Sequence, residues 1–164
     1  MKKHLISVLT QDKSGVLTRI TGLFSRRGFN IDSLVVCGTD ESGVSRITMV
    51  VTADDIIISQ VIKQLDKLVD VIKILELDED DSVLRELMMI KIKVCDNQRT
   101  EIQSSAQIYK AEIIDLSPES VVIELTGKPS KLDAFIELVK PYGIIEMTRT
   151  GLNALHRGSK SIKD

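Results

Sequence analysis

The sequence predicts an α+β protein made of two tandem copies of one β-α-β-β-α-β unit. Short, β-branched apolar runs of strand length alternate with stretches whose apolar residues recur at helical spacing. Residues 1–77 complete that order once, and after a short acidic break it repeats. The chain of 164 residues, 43% hydrophobic, is long enough for two small cores.

In the first copy, residues 4–10 form a buried strand. The turn Gln11-Asp12-Lys13-Ser14-Gly15 leads into a helix, with Asp12 or Ser14 as its N-cap. Val16, Leu17, Ile20, Leu23 and Phe24 make the helical stripe, and Gly28 ends it behind two arginines. Strands over 30–37 and 45–52 flank a hairpin at 38–43 that is rich in turn formers. A second helix starts at about Asp54-Asp55 with Ile57, Val61, Leu65 and Leu68 on one face, and residues 69–77 form a fourth strand. This is the split βαβ of ferredoxin-like domains.

Residues 78–86 read as an acidic linker. The second copy, 87–158, has a strand over 87–95, a weaker helix over 97–109 and strands over 111–116 and 120–126. A helix over 128–140 turns Leu132, Phe135, Ile136 and Val139 inward, with Pro129 tolerated in its first turn, and a strand over 144–150 closes the unit. Residues 64–68 and 131–135 share a fragment pattern, in keeping with an internal duplication. The tail, 159–164, is polar and expected to fray.

Composition removes several functions. A formal net charge of −2 leaves no basic footprint for nucleic acid, and 3% aromatics without Trp leaves few stacking platforms. No apolar run is long enough to span a membrane, and the polar stretch at 10–13 comes too early for a secretion signal, so a cytoplasmic protein is expected. Cys37 and Cys95 read as buried, reduced thiols rather than a disulfide or zinc site. His4 and His156 have no Ser or Cys partner, Gly127-Lys128-Pro129-Ser130 lacks the upstream glycine of a phosphate loop, and no Rossmann fingerprint occurs. No catalytic or metal-binding residue is expected.

One segment carries chemistry. Gly15 lets a ligand approach the backbone, and the amides of Gly15, Val16 and Leu17, at the positive end of a helix dipole, suit a small carboxylate. Asp12 can accept from an ammonium group, and Asn30, following the helix, is expected to reach back with donor and acceptor. Together they suit a free amino acid; the same pattern also fits an ordinary capped turn. The second strand, with Leu34-Val35-Val36-Cys37, occupies a sheet edge and invites a two-fold homodimer that brings two such turns to one seam.

The stretches from His4 to Leu17 and from Leu23 to Leu34 resemble an ACT domain, here placed at 1–77. More narrowly, with 64–71, Arg85-Glu86-Leu87-Met88, 131–135 and Arg149-Thr150-Gly151, nearly the whole chain resembles the small subunit of acetolactate synthase (acetohydroxyacid synthase). That resemblance implies a non-catalytic regulatory subunit without a cofactor of its own. Its partner is a large subunit that uses thiamine diphosphate, Mg²⁺ and FAD to condense two pyruvates, or pyruvate with 2-oxobutyrate. Activation of that partner and feedback inhibition by valine or another branched-chain amino acid are implied too. Carried across, the effector residues are Asp12, Gly15, Val16, Asn30 and Ile31, with Val35 and Val36 lining the side-chain pocket from the neighbouring subunit. Many relatives have Asn where this chain has Asp12, a change that places a carboxylate close to the effector. An alternative is a stand-alone ACT sensor or transcriptional regulator; a small acylphosphatase-like enzyme would need an Arg and Asn pair on a phosphate-cradling loop, which is missing.

Overall fold

From Leu5 to Leu9 every side chain is buried, so the first strand must be covered on both faces. In the computed structural model, which describes Met1–Asp164, this strand is β1 (Lys2–Gln11). It is followed by α1 (Val16–Ser25), β2 (Ile31–Gly38), β3 (Val44–Ala53), α2 (Asp55–Leu65) and β4 (Val71–Leu77). The sheet order is β2-β3-β1-β4, with every neighbouring pair antiparallel. On one face Ile6, Val8, Ile47, Met49 and Val51 meet Val16, Ile20 and Phe24 of α1 and Ile58, Val61 and Leu65 of α2. A fully buried Phe or Ile of this kind stabilises by about 1.5–3 kcal/mol. Alternation sends Leu5 and Val50 to the other face, where Leu77, Leu84, Leu152 and Ala154 cover them.

The second unit has β5 (Ser82–Lys93), α3 (Arg99–Tyr109), β6 (Glu112–Leu116), β7 (Ser120–Gly127), α4 (Pro129–Val139) and β8 (Ile144–Arg149). Its strand order, β6-β7-β5-β8, repeats the first topology. Met88, Ile90 and Ile92 of β5 pack on Ile123 and Leu125 of β7 and on Leu132 and Phe135 of α4, and Tyr109 meets the Phe135 ring edge-on at 5.1 Å. Arg149 donates to both carboxylate oxygens of buried Glu86, at 2.8 and 2.6 Å, and to Asp133 at 2.7 Å. This clasp fastens the end of β8 to β5 and α4.

The α+β class and the doubled βαββαβ order are as the sequence predicts, but the borders differ. Compact unit 1 comprises Met1–Leu84 and Leu152–Asp164; unit 2 comprises Arg85–Gly151. The linker expected over 78–86 shrinks to the turn at 78–81. Leu84 is drawn into β5 by the outer face of the first sheet, and Glu86 by Arg149. Residues 152–158, expected in the second domain, return to unit 1 as β9 (Asn153–His156), which pairs with β5. The tail expected to fray is held as well. Ile162 is buried, Lys163 pairs with Asp40 at 3.0 Å, and the Lys73 Nζ donates to the Asp164 backbone carbonyl at 2.8 Å. Cys37 and Cys95, expected inside, are both exposed: Cys37 nears the end of an edge strand and Cys95 lies just past β5. No helix is long and apolar enough to cross a membrane.

Candidate functional site

Gly15 is the N-cap of α1. It sits at φ +83° with no side chain bonding the helix start, so neither Asp12 nor Ser14 caps as the sequence suggested. That left-handed conformation turns the chain sharply into the helix at no steric penalty for glycine. The Val16 amide, one of the three expected in the socket, is directed to the Lys13 carbonyl at 3.3 Å. The amides of Gly15 and Leu17 have no protein acceptor and are left at the positive helix end. The Val16 side chain is buried in the core, so this residue contributes backbone only. Asp12 is exposed, with its amide held by the Gly43 carbonyl at 2.8 Å, which ties the turn to the β2–β3 hairpin.

Asn30 does not reach back within one chain. Ile31 is level with Val51, and Val51 with His4, whereas Gln11 is level with Val44 at the hairpin end. The seven residue steps from His4 to Gln11 separate the two positions by about 23 Å. Helix α1 has carried the chain back along the full sheet, so Asn30 and Ile31 lie at one end and Asp12 and Gly15 at the other. Val35 and Val36 also part company. Val36 pairs with Ile47 on the helix side, whereas Val35 pairs with Thr48 on the opposite face. Leu34 and Val36, 36% and 45% exposed, make the helix side of this edge apolar.

A β-bulge interrupts the start of β2: Ile31 faces Val51 and Ser33 faces Val50, so one residue is extra. Asp32, the extra residue, accepts from the Thr52 hydroxyl at 2.6 Å. Sequence reading missed both this bulge and Gly43; only pairing registers could have revealed them.

Elsewhere no group of three or more His, Cys, Asp or Glu side chains is placed to hold a metal. Buried His4 lies 2.7 Å from Glu76 through Nδ1 and 3.2 Å from the Ala53 carbonyl through Nε2, pinning β4 and the end of β3 to β1. A pocket of about 430 Å³ beside it, lined by Lys2, Lys3, Glu76 and Glu79 among others, sits at the opposite end of β1 from the Gly15 turn.

Comparison with known proteins decides the family. Residues 6–73 match the model described as the AHAS small subunit-like ACT domain, and residues 85–158 match that of the small subunit of acetolactate synthase. The acetolactate synthase small subunit of Mycolicibacterium smegmatis is 46% identical over 97% of this chain and 94% of its own. The chain belongs to the acetolactate synthase small-subunit family. A probable acetolactate synthase small subunit from Archaeoglobus fulgidus is 49% identical over 96% of this chain and 99% of its own length. The crystal structure of the Thermotoga maritima acetolactate synthase small subunit superposes with a TM-score of 0.90 at 39% identity, covering 98% of this chain and all of that one. Membership in a small-subunit family implies a catalytic large subunit as partner and assigns a regulatory part to this one.

Proposed function

We propose that this small subunit has no catalysis of its own, activates a thiamine diphosphate-, Mg²⁺- and FAD-dependent large subunit in the cytoplasm, and makes it sensitive to valine or a related branched-chain amino acid. The observation that carries the reading is the separation of Asp12 and Gly15 from Asn30 and Ile31 along one sheet. Pairing β2 with β2 of a second copy about a two-fold axis reverses the strand direction. It brings Asn30 and Ile31 of one copy to the hairpin end of the other, where Gly43 holds Asp12. The apolar edge formed by Leu34 and Val36 gives that pairing a driving force.

In such a seam the effector carboxylate is bound by the free amides of Gly15 and Leu17, its ammonium group lies between Asp12 and the Asn30 amide oxygen, and Val36 lines its side chain. Val35 lies on the other face and supports the edge strand instead. A carboxylate and an ammonium at ~4 Å interact by about 4 kcal/mol at an effective dielectric of 20, before desolvation is subtracted, so Asp12 favours a zwitterion over a plain acid. A ligand lodged across two copies binds the dimer in preference to the monomer, and that differential affinity is what an effector needs to shift a partner's state. The test is reconstitution: purified chain is added to a large subunit and acetolactate formation is followed with and without valine. The reading predicts a higher rate that valine lowers, and an unchanged rate in both conditions contradicts it.

A further inference from the structure

The segment Leu152–Asp164 contacts residues that neighbour both halves of the proposed effector site. At one end of β2 the Leu152 amide donates to the Ser33 hydroxyl at 3.0 Å, beside the bulge that aims Ile31 and Asn30. Two residues in from the hairpin end, the Arg46 guanidinium, on β3 opposite Cys37, donates to the Ala154 carbonyl at 2.7 Å. At the hairpin end Lys163 pairs with Asp40 at 3.0 Å, in the same loop whose Gly43 carbonyl holds the Asp12 amide. The Lys163 ammonium also keeps the Asp40 carboxyl below the usual carboxylate range, in keeping with a formed contact. Buried Leu152, Ala154 and Ile162 give the segment an apolar anchor beneath these bonds.

Within one copy β2 is an edge strand held by a neighbour on one side only, and a bulge at its start leaves a backbone amide out of the ladder. Fixing Ser33 therefore fixes where Ile31 points.

We propose that the C-terminal segment is a brace whose hydrogen bond to Ser33 and ion pair to Asp40 position the two halves of the effector site, making Ser33 and Lys163 positioning residues for effector affinity. The proposal rests on the effector reading given above. It is tested by titrating the full-length chain with L-valine in a calorimeter, using wild type, Ser33→Ala and Ser33→Thr. Loss of one hydrogen bond on the binding-competent geometry should raise the valine Kd about fivefold in Ser33→Ala. Dimer mass should be unchanged and the thermal midpoint should stay within about 4 °C. Ser33→Thr, which keeps the hydroxyl, should return the wild-type Kd, a rescue that general loosening of the strand would not give. Equal valine affinity in wild type and Ser33→Ala overturns the brace and leaves the effector reading standing. No binding of valine, leucine or isoleucine by wild type overturns both. Should Ser33→Ala dissociate the dimer, exposed Lys163→Gln is titrated instead: a weaker valine affinity supports the brace and an unchanged one overturns it.

Discussion

Helices α1 and α3 occupy the same place in two units of the same topology, yet their ends are built differently. Helix α1 starts on Gly15 with no capping side chain and with the Gly15 and Leu17 amides free of a protein acceptor. Before α3, a 3-10 turn at Asp96–Gln98 folds the Gln98 side chain back onto the Cys95 amide at 3.1 Å, so the turn leading into that helix is bonded by the protein's own side chain, although α3 itself has no capping side chain. At the other end, Gly28 (φ +72°) ends α1, with the Phe29 amide bonded to the Phe24 carbonyl; Lys110 (φ +54°) makes the equivalent turn after α3. One unit enters its helix over a left-handed glycine, and the other enters through a 3-10 turn bonded by its own side chain. The shared fold therefore does not distinguish the two helix entries; the turn before each helix does.

The comparison can be broken at each point. Gly15→Asp should have the largest effect. It forces a side chain into a left-handed conformation at about 1–2 kcal/mol and sets a carboxylate where the effector carboxylate belongs, so valine affinity should fall by roughly a hundredfold or more in calorimetry. Arg149→Met should lower unfolding free energy by about 3 kcal/mol in denaturant titration, because it strands buried Glu86, while valine affinity stays at the wild-type value. Glu86 and Asp133 raise the Arg149 guanidinium above its already high ordinary range. The clasp's contribution is thus fully present below that range and is lost only as pH climbs past it, so neutral to moderately alkaline buffers should leave it intact. Gln98→Ala opens the second cap. It should cost about 1 kcal/mol of stability without creating an effector site, and a second valine site appearing in unit 2 would break the comparison. Lys110→Gly should be the mildest, raising stability by up to about 1 kcal/mol by removing positive-φ strain, as read from the thermal midpoint.

Most of the fold was legible because its signals are local. Ile20 and Phe24 fall at helical spacing, the strands are β-branched, and Gly28 and Pro129 punctuate where their backbones require it. The site was legible in part. Residue type alone points to Gly15 and the amides after it as the start of α1, whereas Asn30 is expected near them only because it follows the helix in sequence. A helix between two parallel-running strands returns the chain to the starting end, so closeness along the chain became separation in space. The resemblance puts Val35 and Val36 in one pocket, yet period-two alternation sets neighbours on opposite faces. The brace was invisible because Ile162 is a single apolar residue in a polar tail, and Leu152 and Ala154 gain their partners only through long-range packing.

The central claim is that one effector site needs two copies of the chain. Gly15→Asp and Asn30→Ala, each expected to fail to bind valine alone, are mixed, dissociated and reassociated, and the mixture is titrated. If the site spans the seam, each mixed dimer regains one intact site and the mixture binds valine at about a quarter of the wild-type number of sites. If the site lies within a single chain, every copy carries a defect, the mixture stays silent, and the account is contradicted.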